Sequence, residues 1–260
     1  MSTATLGNCA SSRLRLLDCP IDNATFAETL DVIEGFVRSG VPHHQVSVNV
    51  DKVLKVRSDP EFRRIVEEAD LVSVDGLPIV WAGRLLGHPI KERVAGIDLM
   101  QAVVGRGAER GWRVYFLGAT AEVLKKAIEE LKRAHPRLQV AGSRHGYWSS
   151  EAEEARIVED IRRAKADVLF IGISSPKKEL FAYRHGPRMG VPFVMGVGGS
   201  FDVIAGVTRR APTWMQQVGL EWFWRFLQEP RRMWRRYFVD DMKFVLLVAR
   251  QMLRRHPTAS

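Results

Sequence analysis

The chain has 260 residues, of which 46% are hydrophobic, so it can bury a full core as one large domain or as a domain with an appendage. A net charge of +9 favours negatively charged partners, such as nucleic acid, anionic lipid or a phosphorylated substrate. Two cysteines without Cys-x-x-Cys or Cys/His spacing are typical of a reducing compartment and argue against a zinc site. Because no apolar run reaches the length of a signal peptide or a membrane span, we expect a cytoplasmic protein, either free or lying on a membrane surface.

The chain order indicates an α/β protein. RLRLLDCPID resembles a short edge strand, and the helical periodicity that follows it ends at Gly40. From there to VPFVMGVGG, apolar strand-like runs alternate with helical segments. This pattern predicts a Rossmann-like, mostly parallel sheet with helices on both faces. We expect residues 1–207 to form this core and residues 208–260 to form a helical appendage.

Polar residues and glycines follow several of the predicted strands. Ligands of parallel sheets bind outside the carboxyl ends of the strands, so these residues are the first candidates for a site. Each could also serve as a turn or cap residue. The candidates are Ser47, Asn49, Asp75, Gly118 to Thr120, Ser174 to Glu179 and Gly196 to Asp202.

Asp75-Gly76 stands between an apolar strand and an apolar helix. This position puts a carboxylate at the mouth of the sheet, where it could act as a general base. Asp75 could equally be the N-cap of the helix that begins near Pro78. The sequence leaves both roles open.

The run GVGGSFDVIAG offers Gly198 and Gly199 at a strand end, where backbone amides could face a phosphate or a ribose, with Asp202 just beyond. It is not the dinucleotide fingerprint, because Phe201 occupies the third glycine position. A P-loop, a Gly-x-Ser-x-Gly elbow and an Asp-x-Asp pair are absent from the sequence. A diphosphate substrate would then be met by arginines and amides rather than by a metal held on paired carboxylates.

Two further stretches offer cations near strand ends. ISSPKKEL places Lys177 and Lys178 in a first helical turn, which is favourable for an oxyanion. In KERVAGIDL, Asp98 is expected to be an N-cap, which leaves Arg93 to bind an anion.

These motifs resemble a known family when they are taken in order. QVSVNVDKV, ADLVSVDGLPIVWAG, ERVAGIDLM, HGYW, GISSPKKE, GVGGSFDVIAG and RRAPTWMQQVGLEWFWRFLQEPRR follow one another as in the WecG/TagA/CpsF glycosyltransferases. The resemblance covers roughly residues 20 to 240. It implies inverting, metal-free transfer of a sugar from a UDP-sugar to a polyprenyl-diphosphate-linked saccharide at the cytoplasmic membrane face, with no cofactor.

The resemblance also implies roles for particular residues. Asp75 matches the family's candidate base, and the nucleotide contacts fall on Tyr147 and Asp202. Pocket residues fall on Ser47, Asn49 and Arg93. Arginines of a closing C-terminal appendage fall on Arg225, Arg231, Arg232 and Arg235.

Two positions depart from the family pattern. Lys178 stands where many members have Gln, so a neutral amide of the pocket becomes a cation, and Ser47 stands where some members have Thr. The donor sugar is therefore not inherited. N-acetylmannosaminyl and glucosyl transfer both remain open, the second in exopolysaccharide synthesis.

The segment from Thr208 to Arg255 carries +7 of the net charge and four of the seven tryptophans. Its early part, Arg209 to Arg236, is expected to be an active-site lid. Its later part, Met242 to Arg255, is expected to contact an anionic membrane. The predicted apolar stripe, which could otherwise join two copies in a homo-oligomer, is formed by Trp234, Phe238, Val245, Val248 and Met252.

Two other classes of function compete with the transferase. A nucleic-acid-binding protein would use the same basic, aromatic segment, but it would leave the strand-end residues without a role, so we expect no nucleic acid. A nicotinamide-dependent oxidoreductase is disfavoured because its glycine fingerprint is missing.

Overall fold

The computed structural model describes residues 13–212, 214–215, 220–228, 230 and 241–255. Six of the described strands form one parallel sheet. They are β3 (His43–Val48), β4 (Leu71–Val74), β5 (Arg113–Gly118), β6 (Gln139–Arg144), β7 (Val168–Gly172) and β8 (Phe193–Gly196). Their order in the sheet is β4-β3-β8-β7-β5-β6, which confirms the predicted α/β architecture.

Helices alternate with these strands and begin at capping residues. Thr25 and Glu28 form a capping box at the start of the first helix, which ends at Gly40 in the left-handed conformation, as predicted. The helices of the core are α1 (Phe26–Ser39), α2 (Val50–Ser58), α3 (Pro60–Glu67), α4 (Leu77–Leu85), α5 (Gly96–Arg110), α6 (Ala121–Ala134), α7 (Glu151–Ala164), α8 (Lys177–Met189) and α9 (Ser200–Ile204).

The first segment differs from the prediction of a single edge strand. It forms a separate antiparallel hairpin of β1 (Arg13–Leu16) and β2 (Cys19–Asp22). The turn between them is made by Leu17 and Asp18, which both take positive φ. An apolar run alone does not reveal such a turn, because a leucine rarely takes this conformation.

Buried side chains fill the space on both faces of the sheet. Phe116, Phe170 and Phe193 pack under α1, α5 and α6, and a second cluster packs around α7 and α8. The last strand, β8, lies between β3 and β7. The carboxyl ends of β3 and β8 are therefore neighbours, although they are far apart along the chain.

The described part of the C-terminal segment includes the helices α10 (Glu221–Gln228) and α11 (Asp241–Arg255). Phe244 and Val248 of α11 are buried in the cluster that includes α2. The predicted single apolar stripe is wrong, because Val248 faces this core while Val245 is exposed. Trp234 and Phe238 lie outside the described residues. The division of the chain at residues 207 and 208 stays a prediction.

The exposed side of α11 carries its own apolar stripe. Met242, Val245, Leu246 and Leu253 are all more than half exposed, and they share one side of the helix at its period of 3.6 residues. Within the described part of the chain, no helix is long and apolar enough to cross a membrane.

Asp70 joins the amino ends of β3 and β4. Its carboxylate lies 3.0 Å from His43 Nδ1 and accepts the His44 backbone N–H at 2.9 Å. Burial opposes ionisation of Asp70, but hydrogen bonds from His44 and His43 outweigh it and lower its pKa to about 2.

We predict that Asp70 stabilises the fold above its unfolded pKa of about 4 and that this contribution disappears as pH falls toward 2. Because Asp70 is partly exposed, solvent screening reduces the contribution to about 1 kcal/mol. Asp70→Asn should lower the free energy of unfolding at pH 7 and flatten its dependence between pH 4 and 2, measured by urea denaturation. The wild-type slope in Asp70→Asn would contradict the assignment.

Candidate active site

Asp75 follows β4 and lies at the carboxyl edge of the sheet. Its Oδ2 accepts the backbone N–H of Gly96, the first residue of α5, at 3.2 Å. The positive end of a helix favours a carboxylate at this position. A side chain on Gly96 would begin 3.3 Å from Asp75 Oδ2 and 3.6 Å from Ser47 Oγ, so the absence of one permits this close approach.

The N-cap alternative for Asp75 is wrong, because Gly76 is the N-cap of α4 and that helix has no side-chain cap. The expected cap role of Asp98 is wrong as well. Ala95 is the N-cap of α5, and Asp98 lies within its first turn. The loop before α5 is fixed by the Val94 N–H, which donates to the carbonyl of Val74 at 2.8 Å. This bond brings Arg93 to the same edge as Asp75.

A buried polar network lies beneath Asp75. Gln45 Nε2 donates to Ser47 Oγ at 2.9 Å and to Ser73 Oγ at 2.7 Å. Ser47 and Ser73 are directly paired across β3 and β4. Because strand side chains alternate, Asp75 projects from the same face as Ser73. Asn49, at the end of β3, caps α2 by accepting the Lys52 N–H at 3.1 Å.

Lys178 lies in a buried charge cluster rather than in an open pocket. The Nζ atoms of Lys52 and Lys178 each lie 2.8 Å from Glu179 Oε1, and Lys52 also donates to the Ser47 carbonyl at 2.6 Å. Burial raises the pKa of Glu179, but the charges of Lys52 and Lys178 outweigh it and lower the pKa to about 2. The cavity beside the cluster measures about 10 Å³, roughly the space of one water molecule.

The glycine run after β8 lies beside β7. Gly198 takes a positive φ of 55°, and Gly199 is the N-cap of α9. The Asp202 carboxylate lies close to Gly199, since a Cβ there would be 3.7 Å from Asp202 Oδ2. Tyr147 is two-thirds exposed, and its neighbour Gly146 packs on the end of β5 and on Ile173 after β7.

Among the described residues, two ion pairs join the C-terminal segment to the core near Asp75. Arg210 binds Asp98 through two bonds of 2.5 and 2.7 Å. The Arg93 guanidinium lies 3.5 Å from Glu221 Oε2, at the start of α10. The pKa of Arg210 is raised mainly by its hydrogen bond to Asp98, and the charges of Glu221 and Asp75 also contribute. Arg210 is therefore within electrostatic range of Asp75.

The predicted arginines of the lid lie outside what the structure describes. Arg231, Arg232 and Arg235 fall in the undescribed range 231–240, and the side chain of Arg225 is also outside the described set. Their roles stay predictions. Among the described residues, no group of three His, Cys, Asp or Glu side chains could hold a metal ion.

Residues 14–258 match the model of the glycosyl transferase WecG/TagA/CpsF family. The chain belongs to this family. The family and the glycosyltransferase class that the sequence predicted are therefore confirmed.

Named relatives of this chain are N-acetylglucosaminyldiphosphoundecaprenol N-acetyl-beta-D-mannosaminyltransferases. The Bacillus spizizenii enzyme is 31% identical over 191 residues, which cover 74% of this chain and 73% of the relative. The Bacillus subtilis enzyme is 26% identical over 233 residues, 89% of each chain. The Staphylococcus aureus enzyme is 26% identical over 247 residues, 94% of this chain and 96% of the relative.

Sequence reasoning did not select several residues that the fold brings to this edge. Gln45 and Ser73 could have been found, because each lies two residues before a selected residue, Ser47 or Asp75, on a strand of period two. The Lys52–Glu179 and Arg210–Asp98 pairs join segments more than 100 residues apart. No local pattern reveals such pairs.

We predict losses of stability of different size for two matched substitutions in the charge cluster. Glu179→Gln removes the shared carboxylate and leaves two buried ammonium groups, so it should lower the free energy of unfolding by about 3 kcal/mol. Lys178→Gln keeps the Lys52–Glu179 pair and should cost less than about 1 kcal/mol. Equal losses in guanidinium denaturation would show that Glu179 does not balance both lysines.

Proposed function

We propose that the protein is an inverting glycosyltransferase that moves a hexose or N-acetylhexosamine from a UDP-sugar to a polyprenyl-diphosphate-linked saccharide in bacterial cell-surface polysaccharide synthesis. The observation that carries this proposal is the position of Asp75. Its carboxylate lies at the ligand-binding edge of a parallel sheet and is fixed by the Gly96 amide. Membership of the family supports the same reaction class.

Asp75 is the proposed general base. It takes the proton of the acceptor hydroxyl while the hydroxyl oxygen attacks the anomeric carbon of the donor. The bond between that carbon and the UDP oxygen breaks, and UDP leaves with the electron pair. Attack from the face opposite the leaving group inverts the anomeric centre. Ser47, which accepts a hydrogen bond from Gln45 and lies close to Gly96, would orient the reacting sugar.

The donor is proposed to lie along the strand ends from β4 to β7. These two strands are three positions apart, about 14 Å, which suits an elongated nucleotide sugar. Tyr147 and Asp202 would contact the nucleoside, and the amides of Gly198 and Gly199 would meet the diphosphate. At the β4 end of the pocket, Asn49 would contact the sugar and Arg93 would bind the diphosphate.

The charge that develops on UDP requires cations, because the proposed reaction uses no metal ion. Fixed guanidinium groups stabilise such charge well where solvent is excluded. Arg93 is one candidate of the core. The appendage would add Arg225, Arg231, Arg232 and Arg235, which the family resemblance places at the closing lid.

The relatives' names supply the most specific expectation for the substrates. They are transferases of N-acetylmannosamine to N-acetylglucosaminyldiphosphoundecaprenol. We propose an acceptor of the same chemical class, with N-acetylmannosaminyl or glucosyl transfer. Lys178 is buried beside Glu179, beneath the carboxyl edge of the sheet. We propose that its charge influences the choice of donor sugar.

The protein is proposed to act at the inner face of the cell membrane, where a polyprenyl-linked acceptor would be presented. The exposed apolar stripe on α11 is flanked by Lys243, Arg250 and Arg254 on one side of the helix. An apolar stripe beside basic residues suits a helix lying in the plane of an anionic membrane. The same stripe could instead join two copies of the chain.

We predict that Asp75→Asn abolishes sugar transfer while UDP binding stays within about twofold of wild type, because the amide cannot accept the proton but keeps the shape. Turnover is followed as UDP release with a polyprenyl-diphosphate-sugar acceptor, and binding by calorimetry. The control Asp202→Asn should weaken UDP binding instead. Normal turnover in Asp75→Asn would remove this residue from the mechanism.

A second prediction concerns the membrane contact. Leu246→Glu combined with Leu253→Glu should reduce binding to vesicles of anionic phospholipid by about tenfold or more, because both apolar contact area and favourable charge are lost. Val41→Glu, an exposed position at the amino edge of the sheet, is the matched control. Unchanged vesicle sedimentation, together with a shift from dimer to monomer in solution, would assign the stripe to an oligomer interface.

A further inference from the structure

Arg93, which the proposed function assigns to the donor, is occupied by an anion of the protein itself. Its Nη1 lies 3.5 Å from Oε2 of Glu221, the first residue of α10. Both side chains are less than one-fifth exposed. Because little water screens this pair, the charge of Glu221 has a direct influence on any other anion that approaches Arg93.

Contacts other than this pair also hold the C-terminal segment on the core. Arg210 is anchored to Asp98 by two short hydrogen bonds. Trp224 and Gln228 of α10 donate to the Arg209 carbonyl at 3.0 and 3.1 Å, which ties the helix to that anchored segment. The contact between Arg93 and Glu221 is longer than these bonds and joins one nitrogen to one oxygen.

Geometry favours exchange at Arg93. A guanidinium binds a diphosphate through two parallel hydrogen bonds, whereas Glu221 offers it a single long contact. A diphosphate brought to the carboxyl edge would therefore make the stronger bonds with Arg93. Glu221 would then either lose its contact with Arg93 or repel the diphosphate.

We propose that Glu221 is a positioning residue. Its carboxylate holds the Arg93 guanidinium in place until the diphosphate of the donor replaces that carboxylate. This inference rests on the proposed function, because it takes the donor to carry a diphosphate. Donor binding then includes the displacement of an internal carboxylate. The Arg210–Asp98 ion pair stays formed throughout, and the start of α10, which carries Glu221, shifts when the donor binds.

The proposal predicts that removal of the Glu221 charge increases the affinity of the protein for a diphosphate. Glu221→Gln should bind UDP and inorganic pyrophosphate about fivefold more tightly than wild type, as expected when a coupled competing charge is removed. The gain should require Arg93, so the Glu221→Gln change should alter affinity less than about twofold in an Arg93→Gln background. A merely structural role for Glu221 would weaken binding or leave it unchanged.

The test is a double-mutant cycle by titration calorimetry on the full-length chain. The matched control is Glu151→Gln, which removes the same charge from the exposed first residue of α7. Affinity equal to or weaker than wild type in Glu221→Gln overturns the inference, as does an equal gain in the Glu151→Gln control. If wild type binds neither probe, or if Arg93→Gln alone binds UDP as tightly as wild type, the proposed donor site itself fails and the inference fails with it.

Discussion

The parallel pairing of β3 with β4 is the constraint on which the site depends. Its register sets Ser47 opposite Ser73 and places Asp75 one step beyond the last paired residue. A shift by one residue would turn these side chains to the other face of the sheet. The loop that returns from α4 then adds Val94 to the end of β4 and brings the first turn of α5 onto the Asp75 carboxylate. The proposed base, its hydrogen-bond donor and the proposed sugar pocket therefore depend on one strand pair and one loop.

The charges of the described residues are relevant to the proposed diphosphate site in two ways. The segment from Thr208 to Arg255 carries +7 of the net charge of +9. Its described ion pairs with the core, Arg210–Asp98 and Arg93–Glu221, lie near Asp75. Within the core, the Lys52–Glu179–Lys178 cluster adds a second excess of positive charge beneath the end of β3. This cluster places cations beneath the edge where the diphosphate is proposed to lie.

Local sequence patterns predicted the fold well, because the signals that begin and end helices and strands lie in short stretches of the chain. Apolar runs, caps and Gly40 fix helices and strands without reference to the rest of the chain. The hairpin at Leu17 and Asp18 was missed because a leucine rarely takes positive φ. Asp75 could be selected from its strand end, but only the observed N-cap of α4, Gly76, decided against a cap role. The pairing of Glu179 with Lys52 and of Arg93 with Glu221 could not be predicted, since each depends on which distant segments the fold brings together.

The central claim is that this edge transfers a sugar from a UDP-sugar to a polyprenyl-diphosphate-linked acceptor without a metal ion. The most direct test follows UDP release and lipid-linked product together over a panel of UDP-sugars, with an N-acetylglucosaminyl-diphosphate-polyprenyl acceptor, in the presence and absence of chelator. The account predicts that one UDP-sugar gives UDP and extended lipid in equal amounts, with an inverted anomeric centre and no effect of chelator. Loss of activity with chelator, or product formed without release of UDP, would contradict it.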